Sequence, residues 1–393
     1  MFVNHFPVFG GPHAYVVELT DGLERHGVQV TMVLPDEPGD AAGRMRSAGV
    51  EVVQVPMRRI RATPSPSAQL RFFASLRADT RRLAEVMERT RAELVVLTGL
   101  VNPHAAFAAR RLGLPVVWQL VDTRAAAPLR RASMSLVRRL ADTVMVIGEA
   151  TLRLHAPRRP LTMPVIRFFP AVNAERFLPS PERRAETRVE LDIPAEVPVV
   201  GTVANLNPQK GIEYMIRAAP VIWRAHPDVH LLIVGARYET HRRYSARIAA
   251  EVASSPVPAE RFIFPGAQAH PERYFPAMDV SLITSVPRSE TSTTTAPESM
   301  ACGVPVVAAN VGALAEVVED GVTGLLVPPR DPDALAAATL RLLDADRERT
   351  RMGEAGRRLA LDRFSRESLV ERHLQAFDAA RAHHAARQGR GDA

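Results

Sequence analysis

The sequence predicts two doubly wound α/β domains, and three observations lead there. The chain has 393 residues, more than one hydrophobic core usually organises. Short apolar runs alternate with helical patterns along most of it, the mark of parallel sheets covered by helices on both faces. A connector rich in Pro and charge, residues 178–198, divides the alternation into two halves.

The first half opens on a short strand, Met1 to His5, which reads as curtailed, with the true start expected upstream. A helical pattern from Ala14 to His26 leads to strand-like runs at Val28–Leu34 and Val50–Val55. Gln69 to Arg89 is helical again, and strands follow at Leu94–Leu97, Val116–Leu120 and Thr143–Ile147. The second half carries strands at Val199–Val203, Val229–Val234, Phe262–Phe264, Val280–Thr284, Val304–Ala308 and Leu325–Val327. After Asp331 the pattern is helical, first Ala334–Leu343 and then to about Ala382. The polar tail, His383 to Ala393, reads as disordered. The expected domains are 1–178 and 179–364, with a terminal segment 365–393. Doubly wound sheets place a ligand cleft at the carboxyl ends of their strands.

Composition narrows the function. Hydrophobic residues at 46% and charged residues at 24% are ordinary for a soluble globular chain. The single cysteine, Cys302 between Ala301 and Gly303, excludes an intramolecular disulfide and reads as small buried packing. No apolar run nears the roughly 18 residues of a spanning helix, and no secretion signal opens the chain, so cytoplasmic residence is expected. The net charge of +7 is uneven: residues 1–180 hold 24 Arg against 15 acids, the remainder 26 basic residues against 28 acids. That asymmetry points to an anionic partner for the first half. Nucleic acid is not expected, because no groove-reading motif is present and aromatics are only 5% of residues.

Two segments carry chemistry. Glu290 and Glu298 flank a hydroxyl-rich loop, and Pro297 is expected at the first position of a short helix leading into an apolar strand. Carboxylates suit sugar and ribose hydroxyls, and free N–H groups at a helix start suit phosphate. The second segment, Gly201 to Gly211, holds Lys210, the only lysine among 50 basic residues. A compact point charge in a strand–turn–helix context fits a phosphate site. Two Asp-x-Asp sequences, Asp331–Asp333 and Asp344–Asp346, read as helix caps rather than metal ligands. Arg58 to Arg82 holds seven Arg and one Asp, with Leu70, Phe73, Leu76, Leu83 and Met87 at helical spacing. Two readings stand for it: a basic amphipathic helix on anionic lipid, or a surface helix with its apolar face in the core, the latter slightly favoured.

These motifs in order, Asn207-Pro-Gln-Lys-Gly211, Glu290-x7-Glu298, Met300 to Ala308, Gly312 to Glu316 and Asp320-Gly-Val-Thr-Gly324, resemble the family 4 retaining glycosyltransferases of GT-B fold. Gly10-Gly11, Val172–Phe177 and Phe364-Ser365 extend the likeness over most of the chain. The resemblance implies two Rossmann-like domains facing a cleft, with a C-terminal helix crossing back to the first. It implies a UDP- or GDP-linked sugar as donor, no metal or other cofactor, and a glycan, glycolipid or small-molecule acceptor. Carried over by position, Glu298 grips ribose, Glu290 contacts the transferred sugar and Lys210 neutralises the diphosphate. The main chain of Thr293 and Thr294 faces the diphosphate, and Gly10 and Gly11 let backbone approach the donor across the cleft. Three departures stand out. Asn205 occupies the place of a usual Arg in the donor site, Thr291–Thr293 replaces a usual Gly-Phe-Gly, and Val121-Asp122 stands where many members carry a His. Asp122 is therefore placed on the acceptor side, with His104, for which a helix-capping or surface role is the competing reading. A nucleotide-sugar epimerase and a catalytically weak nucleotide-sugar-binding partner are the rival functions.

Overall fold

The computed structural model describes residues 1–58, 66–121, 126–156, 160–287 and 294–389, with residues 66–69 as backbone only. Contacts divide the chain into two units, Met1–Ala171 with Arg366–Ala393, and Val172–Ser365. The first break falls ahead of residue 178, so the turn at Val172–Phe177 belongs to the second unit.

In the first unit the described residues form a seven-stranded parallel sheet: β1 (Phe2–Val3), β2 (Thr31–Pro35), β3 (Glu51–Val55), β4 (Val95–Thr98), β5 (Val116–Leu120), β6 (Thr143–Val146) and β7 (Val165–Arg167). Their spatial order is β3-β2-β1-β4-β5-β6-β7. Strand β7 escapes the sequence reading because it is three residues long, set between Pro164 and Phe168. Helices on both faces leave the central strands wholly buried, which is why they read as continuous apolar runs. Val95, Leu97, Val116, Trp118, Val144 and Val146 belong to one core cluster.

The last helix, Arg366–Gln388, belongs to this unit and corrects the expected tail: helix continues through His383 and His384 to Gln388. Its sequence is polar, so specific contacts hold it. His373 is fully buried among Phe2, Tyr15, Phe168 and Phe377. Its Nδ1 meets the Leu369 carbonyl at 2.7 Å and must be the protonated nitrogen. Nε2 then accepts from the Tyr15 hydroxyl at 2.5 Å, and Gln119 Nε2 donates to that hydroxyl at 2.6 Å. Burial lowers the His373 pKa to about 4 and raises that of Tyr15, so both are neutral. Further along, buried Asp142 takes Arg110 at 2.7 Å and His384 at 3.1 Å, and accepts the Val116 N–H at 3.0 Å. A Cβ on Gly22 would lie 2.3 Å from Val370, so the helix also needs the bare backbone there.

The second unit's described residues form a six-stranded parallel sheet: β8 (Val199–Val203), β9 (His230–Val234), β10 (Phe262–Gly266), β11 (Val280–Ile283), β12 (Val306–Ala309) and β13 (Gly324–Val327). Their order is β10-β9-β8-β11-β12-β13. Strand β12 begins after Pro305, which has no N–H to give the ladder. Asp331 caps the Pro332–Asp344 helix through the Ala334 N–H at 2.9 Å. Asp344 pairs with His226 at 2.9 Å and Asp346 with Arg349 at 2.7 Å. Burial pushes the Cys302 thiol up, as suits a packing residue.

Candidate functional site

The chain runs outward from β8 through β9 to β10, then returns to the other side of β8 as β11. The crevice outside the carboxyl ends of β8 and β11 is thus the switch point, where doubly wound sheets take ligands. Asn205 and Lys210 leave β8, and Thr284 leaves β11. Gly211 joins the two loops: it has φ 60°, and a Cβ there would lie 2.2 Å from the Thr284 carbonyl oxygen. Thr284 Oγ1 donates to the Lys210 carbonyl at 2.8 Å, and the Val286 N–H donates to the Gln209 carbonyl at 3.0 Å. Behind Gly211, the Ile212–Ala225 helix is fixed by the Tyr244 hydroxyl, which accepts the Ile212 N–H at 2.9 Å and donates to Glu213. Lys210 is thereby presented, half-buried, from a rigid turn.

Glu298 rises from the other side. The helix Thr295–Ala301 begins before Pro297, so this proline sits third rather than first. That N–H has no helical partner in any case, so nothing is lost. The Glu298 carboxyl faces the Thr294 hydroxyl and lies within electrostatic reach of Lys210 and Arg176. Burial outweighs both and raises its pKa to about 7. Arg176 and Glu272, which the sequence reading missed, pair at 2.9 Å, and His270 meets the same carboxylate at 3.2 Å. Burial pushes Glu272 up, but its backbone hydrogen bond and Arg176 hold it below the usual carboxylate range. Asn173 shapes the turn that carries Arg176, its Oδ1 accepting the N–H groups of Glu175 and Arg176 at 3.0 and 3.1 Å. No pattern marks Glu272, since only tertiary contact gives it a place. Glu290 and Thr293 lie outside the described residues.

Asn205 does not present a free side chain. Its Oδ1 accepts the Ala236 N–H at 2.9 Å, and its Nδ2 donates to the Tyr238 hydroxyl at 3.1 Å.

In the first unit the switch point lies between β1 and β4. Asn4 follows β1, and Asn102 and His104 follow β4. His104 is buried, neither a surface nor a capping residue. Among the described residues neither of its ring nitrogens, nor Asn102 Oδ1, nor Asn4 Nδ2, has a hydrogen-bond partner. Burial pushes the His104 pKa down to about 4, against the pull of Asp79. Gly10 caps the Gly11–Arg25 helix, and no described atom lies within 4 Å of where a Cβ would stand on Gly10 or Gly11. Their bareness is therefore not a packing need of the described fold. His13 orders this turn: Nδ1 accepts the Gly10 N–H at 3.2 Å and Nε2 donates to the Phe6 carbonyl at 3.0 Å. Asp122 lies outside the described residues. The helix Pro66–Arg89 follows the core-facing reading only in part. Phe72, Leu83 and Met87 are buried, but Leu70 and Phe73 remain 71% and 64% exposed because Phe72, not Phe73, turns in against His104.

Comparison with known proteins agrees with this geometry. Residues 197–345 match the description "Glycosyl transferases group 1", and residues 10–170 match "Glycosyl transferase 4-like domain". The chain belongs to the group 1 glycosyltransferases. This glycosyltransferase chain is 36% identical over 200 residues to a GDP-mannose-dependent alpha-(1-6)-phosphatidylinositol monomannoside mannosyltransferase of Mycolicibacterium smegmatis, covering 50% of this chain and 51% of that one. It is 38% identical over 180 residues to a D-inositol 3-phosphate glycosyltransferase of Acidothermus cellulolyticus, covering 44% and 39%. The chain spans about half the length of the curated relatives it matches. Its fold matches Anabaena HepE in complex with UDP at TM-score 0.79 and 21% identity, over 96% of this chain and 99% of that one. A Rickettsia africae glycosyltransferase matches at TM-score 0.81 and 16% identity, over 96% and 97%. These likenesses establish the GT-B fold for this glycosyltransferase chain.

Proposed function

We propose that this chain is a retaining hexosyltransferase, moving a hexose or N-acetylhexosamine from a nucleotide-diphosphate sugar to a glycan, glycolipid or small acceptor. The observation that carries the reading is Glu298, half-buried within electrostatic reach of Lys210 at the second domain's switch point. In this reading a ribose diol donates to the Glu298 carboxylate. Lys210 stabilises charge growing on the departing diphosphate, an electrostatic contribution set in place before reaction. The acceptor hydroxyl attacks the face that the diphosphate leaves, and a leaving phosphate oxygen takes its proton. Neither a protein base nor a metal is required by that scheme. Glu290 is assigned to the sugar, and the Thr293–Thr294 main chain to the diphosphate. Gly10 and Gly11 leave backbone open to the donor.

The unpartnered polar atoms of Asn102 and His104 support an acceptor role for the first domain. The relatives' names pair GDP-mannose with an inositol-bearing lipid, or name inositol phosphate itself. A phosphorylated polyol or its lipid suits a half-chain with 24 Arg against 15 acids. Leu70 and Phe73, exposed beside Arg71 and Arg77, support a peripheral seat on an anionic, cytoplasmic membrane face. Among the described residues no helix is long and apolar enough to cross a membrane.

Thermal stabilisation by UDP and by GDP, on the native chain and on Lys210→Ala, tests the donor site. A nucleotide at about 100 times its dissociation constant adds about 2.7 kcal/mol. One nucleotide should stabilise the native chain and lose that effect in Lys210→Ala. Nucleotide release from GDP-mannose or UDP-glucose, with inositol phosphate present, then tests transfer. A second reading, a nucleotide-sugar-binding partner with little catalysis, is favoured by the fully engaged Asn205 standing where the family usually has a cation. Binding without release of nucleotide from the sugar is its signature.

A further inference from the structure

We infer that Tyr238, oriented by Asn205, is the stacking platform for the donor's nucleobase. The inference rests on the donor reading above. The loops leaving β8 and β9 are fastened together. The Ala204 N–H donates to the Val234 carbonyl at 2.8 Å and the Leu206 N–H to the Ala236 carbonyl at 2.9 Å. Leu206 and Arg237 form a parallel bridge. A Cβ on Gly235 would lie 2.1 Å from the Ala204 carbonyl oxygen, so this approach requires glycine.

The bridge decides which side chains turn away from the core. Leu206 is buried in the core and the Arg237 guanidinium lies over the Phe264 ring, 5.5 Å from its centroid. Alternation along the paired segments turns their neighbours, Asn205 and Tyr238, to the other face. The 3.1 Å hydrogen bond between them agrees. Asn205 is held at both ends, and its Nδ2 holds the tip of the Tyr238 ring while 48% of the residue stays exposed. The exposed large apolar side chains among the second unit's described residues are Val189, Val221, Tyr238, Val322 and Leu361, so Tyr238 is the one aromatic among them. It stands on the loop beside the one that carries Lys210. A nucleoside diphosphate held by its phosphates at Lys210 needs a flat, apolar surface for its base. A half-exposed ring with a tethered hydroxyl offers that at little conformational cost. Stacking accepts every base, because each has a π-face.

Calorimetric titration of the native chain, Tyr238→Ala, Tyr238→Phe and Lys210→Ala with UDP, GDP and inorganic pyrophosphate tests this. Tyr238→Ala should weaken the preferred nucleotide about tenfold or more and leave pyrophosphate unchanged. Tyr238→Phe should stay near the native affinity, and Lys210→Ala should weaken both nucleotide and pyrophosphate. Equal nucleotide affinity in Tyr238→Ala and the native chain, with Lys210→Ala impaired, overturns the stacking role and leaves the donor site standing. A native chain that binds neither nucleotide, or a Lys210→Ala variant that binds like the native chain, overturns the donor reading and the inference with it.

Discussion

At the scale of single residues, Glu298 is the group whose titration reports on the site. Its pKa stands at about 7 instead of 4.5, chiefly because of burial. A raised carboxyl pKa means that the folded chain holds the proton more tightly than the unfolded one. That contribution to stability is complete below 4.5 and is lost as pH rises through about 7. Glu298→Gln, which keeps a neutral group, should therefore gain on the native chain as pH climbs, most clearly above pH 7. Paired melting curves between about pH 5 and pH 8 measure it. Nucleotide affinity should run the other way, rising with pH in the native chain as the carboxylate forms, and staying low and flat in Glu298→Gln. A nucleotide affinity that ignores pH in the native chain counts against a ribose role for Glu298. Lys210 and Gly211 were legible because a turn leaving a strand has local rules. Arg176 and Glu272 were not, since only folding brings residues so distant in sequence within reach of Glu298.

Among the elements, the helix Arg366–Gln388 shows how little periodicity can reveal about a docked segment. It buries Leu369, Val370, Ala376, Phe377 and Ala380, but two histidines interrupt that apolar stripe with polar contacts: His373 with Tyr15 and Gln119, and His384 with Asp142. A reading by hydropathy ends such a helix early. His373→Phe keeps the aromatic surroundings but takes away the acceptor of the Tyr15 hydroxyl proton, and should cost about 1–3 kcal/mol. Denaturant unfolding measures the loss, and a change within error would mean that packing alone holds the helix. The native His373 is neutral, its pKa held near 4 by burial against 6.5 unfolded. A lowered histidine pKa gives stability that is present above 6.5 and lost as pH falls toward 4. Acid should therefore loosen this helix in the native chain, and hydrogen exchange over residues 366–388 should show it.

For the whole molecule, the two-domain α/β architecture was readable because strand and helix periodicities alternate twice. The basic first half was equally plain, but charge alone does not say which side chains reach solvent. The helix Pro66–Arg89 shows the difference, since Leu70 and Phe73 belong by spacing to a core stripe yet lie outside it. If that end of the helix seats on anionic lipid, native protein should sediment with anionic vesicles and not with neutral ones. The double variant Leu70→Ser, Phe73→Ser should lose most of that binding while nucleotide binding is kept. Equal weak sedimentation with both vesicle types ends the membrane reading.

The terminal helix has one more consequence, for biosynthesis. A ribosome releases the first domain's seven strands well before the residues that complete that domain. Between the two comes the entire second domain. During that interval Tyr15 and Gln119 await His373, and the apolar surface around Phe2 and Phe168 stays uncovered. The second domain is the one that can finish first, so the nascent chain matures in the reverse of its order of synthesis.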